Sequence, residues 1–125
     1  MADTNTFGGK RILVVEDDYL IVTEMVQELQ ARGADVIGPI ADLDKAFERL
    51  DALSGIEGAI LDINLQGQLV YPLADELMRR GLPFVFATGY DNSTIPERYA
   101  SIRRFMKPVD VREVAKALLD GEPLT

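Results

Sequence analysis

The chain has 125 residues, 47% hydrophobic and 27% charged, which predicts one globular domain with a core that needs no disulfide. It contains no Cys and no His, which excludes thiolate and imidazole nucleophiles and Cys- or His-ligated metals; the lack of Cys fits a reducing, cytoplasmic setting. The net charge of −8 opposes binding to nucleic-acid phosphates, no run has membrane-spanning length, and 1–10 reads as a disordered lead-in rather than a signal peptide.

Taken in order, Ile12 to Val15 is a continuous apolar run, predicted as a buried strand, followed at once by Glu16, Asp17 and Asp18. Val22, Met25, Val26 and Leu29 then repeat at helical spacing until Gly33 ends the helix. Asp35 to Gly38 is a short second strand closed by Gly38-Pro39. Asp42 reads as the N-cap of a second helix, with Leu43, Ala46, Phe47 and Leu50 on its buried face. After the break at Ser54-Gly55, the stretch Gly58 to Asn64 carries Ala59, Ile60 and Leu61 into the core and leaves Asp62 at the strand end.

Gln66-Gly67-Gln68 is predicted as a loop, and Pro72 opens a third helix with Leu73 and Leu77 on one face. Phe84 to Ala87 is a fourth buried strand, ending at Thr88-Gly89. The polar stretch Tyr90 to Ser101 holds a short fourth helix near Pro96 to Tyr99. Arg103 to Met106 is a weak fifth strand before Lys107-Pro108. Asp110 and Glu113 form a capping-box pair for a last helix, with Val111, Val114, Ala115 and Leu118 buried. The folded domain is expected over 11–120, with 121–125 as a tail.

Strands alternating with helices predict an α/β architecture: a doubly wound, five-stranded parallel sheet flanked by five helices. Ligands bind such sheets beyond the carboxyl ends of the strands, where strands one and three diverge. Polar residues stand at those ends: Glu16 and Asp17, Asp62, Thr88 and Lys107. Each alone has a plain explanation as a cap, a turn or a solvated charge; four strand ends together do not. Clustered carboxylates need a cation, and oxygen-only ligands select a hard one, Mg²⁺ first. Lys107 and Thr88 suit phosphoryl oxygens, and Asp62 is then a carboxylate nucleophile for phosphoryl transfer.

Glu16-Asp17, the Asp62 strand, Thr88 and Lys107-Pro108 together resemble the receiver domain of two-component response regulators, over roughly Arg11 to Leu119. The resemblance implies a flavodoxin-like, CheY-like sheet of order 2-1-3-4-5. It makes Asp62 the phosphoacceptor, loaded by a histidine kinase or histidine phosphotransfer protein. Asp17, Asp62 and the carbonyl of Asn64 would hold Mg²⁺, with Glu16 acting through water. Thr88 and Lys107 would hold the phosphoryl group, and Lys107-Pro108 would be cis. Such a protein is not an enzyme on other substrates: it carries only phosphotransfer and autodephosphorylation. It would signal to a downstream protein target as a monomer or weak dimer, without binding nucleic acid or membrane.

Phe86-Ala87-Thr88-Gly89-Tyr90 further resembles a stand-alone receiver subfamily nicknamed FAT GUY, in which small Gly89 leaves the site open. No segment remains after the last helix for an effector domain, so output is expected through the surface of the fourth helix, fifth strand and fifth helix. Tyr90, Arg98 and Tyr99 are its expected exposed anchors. One departure stands out. Receivers usually carry Tyr or Phe three positions before the Lys, where this chain has Arg104, and Phe105 faces the other side of its strand. Arg104 and Tyr90 are therefore the switch candidates, with Arg104 outward and Tyr90 replacing the missing ring. Two rivals are a Mg²⁺-dependent phosphatase with an aspartate nucleophile and a pseudo-receiver. The first typically has Asp-x-Asp on its first strand, whereas Asp62-x-Asn64 lies on the third; the second is opposed by the intact polar set.

Overall fold

The structure, a computed structural model of the chain, describes residues 5–89 and 95–119. In order it contains β1 (Arg11–Val15), α1 (Tyr19–Ala31), β2 (Asp35–Ile40), α2 (Leu43–Ala52), β3 (Ile56–Asp62), β4 (Asn64–Leu65), β5 (Gln68–Leu69), α3 (Tyr71–Arg79), β6 (Phe84–Thr88), a 3-10 turn (Glu97–Tyr99), β7 (Arg104–Met106) and α4 (Val111–Leu119). The main sheet runs β2-β1-β3-β6-β7 with every pair parallel, which is the expected 2-1-3-4-5 order once the small β4–β5 hairpin is set aside. Its direction of growth reverses between β1 and β3.

The central runs of β1, β3 and β6 are apolar because both faces of the sheet are covered there. Leu13, Val15, Ala59, Leu61, Phe84 and Phe86 pack on the α2 and α3 side. Ile12, Val14, Ile60, Val85 and Ala87 pack on the α1 and α4 side. Burying each such large side chain is worth about 1.5–3 kcal/mol before conformational entropy is counted. Among the described residues, no helix is long and apolar enough to cross a membrane.

Several sequence expectations change. The lead-in is docked from residue 5: Phe7 is fully buried against the α1 and α4 cluster, and its amide donates to the Arg32 carbonyl at 2.9 Å. A lone aromatic beside Gly8-Gly9 gives no periodicity from which to read that burial. β2 continues through the cis Gly38-Pro39 bond to Ile40, with a register irregularity opposite Leu13 and Val15. Gly38 has φ +119, and a Cβ there would lie 2.6 Å from the Val14 carbonyl oxygen, so only glycine fits. The loop at Gln66-Gly67-Gln68 is the turn of the β4–β5 hairpin.

The expected fourth helix is a single 3-10 turn, which leaves four α-helices among the described residues. Pro96 precedes it, and the segment is held by side chains rather than by an amphipathic helical face. Tyr99, expected on the surface, is 1% exposed. Its ring stacks on Tyr71 at 5.3 Å and meets Phe86 edge-on, and its hydroxyl donates to the Asp75 carboxylate and sits 3.1 Å from the Tyr71 carbonyl. Arg98 is exposed as expected, but it pairs with Asp75 at 2.9 Å. The last helix starts with Asp110 accepting from the Arg112 amide, while Glu113 pairs with Lys116 instead of closing the capping box.

Candidate functional site

Asp62 is the last residue of β3, held there because Leu61 is in register with Val15 of β1 and Phe86 of β6. The carboxylate emerges where the two halves of the sheet diverge and is only 8% exposed. Glu16 follows β1 and is 3% exposed; its Oε2 accepts from the Asp17 amide at 3.1 Å and the Asp18 amide at 3.0 Å, which fixes its orientation. Asp18 accepts from the amides of Leu20 and Ile21 and so caps α1. That resolves which of the two neighbouring aspartates is the cap and frees Asp17 for the site. Glu16, Asp17 and Asp62 each offer a carboxylate oxygen within 4.8 Å of the others.

Lys107 enters from beyond β7. Its amide donates to the Thr88 carbonyl at 2.9 Å, and the following peptide bond to Pro108 is cis. Its ammonium lies 2.5 Å from Glu16 Oε1 and 3.4 Å from Asp62 Oδ2, bridging two of the three carboxylates. Sequence reading placed Glu16 as acting through water; the direct ion pair with Lys107 was not foreseen, since no local pattern links residues that far apart. Thr88 ends β6 and is 7% exposed. Asn64 is exposed at the start of β4, where its Oδ1 accepts from the Gly67 amide at 2.6 Å.

These residues line one cleft of about 740 Å³ together with Tyr71, Ile95 and Arg104. Arg104 points outward, as expected, and Phe105 packs on the opposite face against the α1 and α4 cluster. Tyr71 was missed: its ring belongs to the aromatic stack of α3 and gave no motif signal. Tyr90, the other switch candidate, lies outside the described residues. Among the described residues, a Cβ on Gly89 would meet nothing within 4 Å, so none of them closes the space beside Thr88.

The electrostatics follow from crowding and burial. Burial and the neighbouring Glu16 charge push the Asp62 carboxyl up to about 7, against the pull of Lys107. Burial works against the Lys107 ammonium, but its hydrogen bond to Glu16 and the charges of Asp62 and Glu16 outweigh it, and its pKa is raised. Among the described residues, only Lys107 pairs with any of the three carboxylates, Arg104 staying at the cleft mouth, which leaves the cluster short of positive charge. With only oxygen donors at hand, it fits a hard divalent cation.

No family model matches the chain, and no curated protein does. Solved structures do. SdrG from Sphingomonas melonis Fr1 is 35% identical, covering 88% of this chain and 93% of its own, with a TM-score of 0.77. The signal receiver domain of a modulated diguanylate cyclase from Desulfovibrio desulfuricans G20 is 25% identical over 90% of this chain and 95% of its own, with a TM-score of 0.72. A response regulator from Burkholderia pseudomallei, solved with a phosphorylated aspartic acid, a calcium ion and citrate, shares the fold at 22% identity and a TM-score of 0.74, over 87% of this chain and 66% of its own. At 35% identity over 88% of its length and nearly all of SdrG, and with receiver domains as its structural neighbours, the chain belongs to the response-regulator receiver family.

Proposed function

We propose that Asp62 accepts a phosphoryl group from a phosphohistidine on a kinase or phosphotransfer protein, this chain having no His of its own. The observation that carries the proposal is the buried Asp62 carboxylate at the end of the central strand, with the Lys107 ammonium already 3.4 Å away. One Asp62 oxygen attacks phosphorus in line as the P–N bond breaks; the imidazole leaves with the electron pair and takes a proton from solvent. Lys107 then receives charge on the phosphoryl oxygens and the Thr88 hydroxyl donates to them. Mg²⁺ would be held by Asp17, Asp62 and the Asn64 main-chain carbonyl, with Glu16 acting through water. When bound, it neutralises charge that a single lysine cannot.

The site acts on itself, as phosphoacceptor and in autodephosphorylation, rather than on a separate substrate. The phosphatase alternative needs a second Asp where Asn64 stands. Phe86-Ala87-Thr88-Gly89-Tyr90 and the open space at Gly89 support membership of the FAT GUY subfamily, with a cytoplasmic setting and output by protein binding. The output surface is the one around the 3-10 turn, β7 and α4, with Arg98 but not the buried Tyr99 on it. Incubation with acetyl phosphate, read on a phosphate-affinity gel, tests the proposal. A Mg²⁺-dependent band absent from Asp62→Asn supports it; a band that persists in that variant or in EDTA refutes it.

A further inference from the structure

Two arginines, Arg49 and Arg104, make no ion pair, side-chain hydrogen bond or ring contact among the described residues, and of the two only Arg104 lines the cleft around Asp62. Arg11, Arg32, Arg79, Arg80, Arg98 and Arg112 each pair with a carboxylate. Arg103 instead lies over the Phe105 ring at 5.0 Å. No ion pair or hydrogen bond engages the Arg104 guanidinium among the described residues, although it lines the cleft that holds Glu16, Asp17 and Asp62. Lys107 is the other cation of that cleft, and it is already committed to Glu16 and Asp62.

The placement has a structural cause. Arg104 is in register with Phe86, on the face opposite Phe105. On that face Tyr71, Tyr99 and Phe86 pack ring against ring. The aromatic volume inside position 104 is thus already filled, and a side chain there is left at the mouth of the cleft. The Tyr71 phenol records the proximity: burial raises its pKa, and the charges of Arg104 and Arg98 pull it back. A guanidinium at such a rim, long, always charged and forked, matches a tetrahedral anion better than it matches the apolar interior.

We infer that Arg104 is a second cationic ligand for the phosphoryl group on Asp62, recruited from the cleft mouth when that group adds negative charge. The inference rests on Asp62 being the phosphoacceptor. Lys107 holds the phosphoryl from the sheet side, and Arg104 closes on it from the β7 side near Thr88. Position 104 therefore responds to phosphorylation through charge rather than through burial of a ring. The positioning is reversible, because Arg104 is exposed and, among the described residues, its guanidinium makes no ion pair or hydrogen bond that must first be broken.

The test uses the full chain, acetyl phosphate with Mg²⁺, and beryllofluoride as the phosphoryl mimic. Arg104→Met keeps the aliphatic stem and removes the fork; Arg104→Lys keeps charge alone. Both variants should still be labelled on Asp62. The methionine variant should lose roughly three- to tenfold in beryllofluoride affinity and in the lifetime of the phosphorylated state, with the lysine variant in between and the differences shrinking at high salt. In the parent, the Arg104 Nε–H resonance should shift on adding beryllofluoride. Unchanged affinity and lifetime in the methionine variant, or a resonance that does not move, would overturn the role of Arg104 while leaving Asp62 as phosphoacceptor. Failure of the parent itself to label would overturn both.

Discussion

Without divalent cations and at about pH 8, Asp62→Asn should be more stable than the parent. Burial and Glu16 push the Asp62 carboxyl from 3.8 to about 7. At ~1.36 kcal/mol per unit, that displacement corresponds to a ceiling of about 4 kcal/mol; water entering the cleft reduces it, so a gain of about 1–3 kcal/mol is expected. The sign follows from proton uptake. Between the unfolded and folded pKa values the native state holds a proton that the unfolded chain has lost. The contribution is fully present below pH ~4 and is lost as the pH rises through ~7. Asn has nearly the same shape and does not titrate, and Lys107 keeps Glu16 as its partner. Urea unfolding of both proteins in EDTA, from about pH 5 to about pH 8, measures the difference. The advantage of the variant should grow as pH rises. A difference that stays flat across this window, or grows in favour of the parent, would refute the electrostatic account of the pocket.

Asp17→Ala removes one of three crowded carboxylates and should stabilise the metal-free protein by about 1 kcal/mol while weakening the Mg²⁺-dependent rise in Tm. Thermal melts with and without Mg²⁺ read both effects. Phe7→Ala should cost about 3–4 kcal/mol in urea unfolding, because the ring is fully buried between elements that cannot close over the cavity. A loss under ~1 kcal/mol would mean that the 5–10 turn is not docked. Tyr99→Phe keeps the stack on Tyr71 but removes the hydroxyl that donates to Asp75, and should lower stability by about 1–2 kcal/mol in the same assay.

The sheet was legible because a doubly covered strand needs an unbroken apolar run, and Ile12 to Val15, Ala59 to Leu61 and Phe84 to Ala87 are such runs. The site was legible for a related reason: in this architecture polar residues immediately beyond those runs must converge, so Glu16, Asp17, Asp62, Thr88 and Lys107 needed only the strand order to be brought together. What escaped has no local signal. Phe7 and Tyr99 are single aromatics in polar surroundings, and their burial depends on pockets built by distant elements. Asp17 and Asp18 are interchangeable on paper; which one caps α1 depends on where the helix begins. Tyr71 enters the cleft only because α3 starts beside the hairpin that follows Asp62. The 3-10 turn replaced an expected helix because a stack of rings and an ion pair, rather than helical periodicity, hold that segment.

The central claim is that Asp62 forms the acyl phosphate, and locating the covalent bond tests it most directly. After treatment with acetyl phosphate and Mg²⁺, borohydride reduces an aspartyl phosphate to homoserine, and peptide mass mapping finds the altered residue. The account predicts reduction at Asp62 alone, absent in EDTA and absent in Asp62→Asn. Reduction at Glu16 or Asp17, or at Asp62 without a divalent cation, would contradict it.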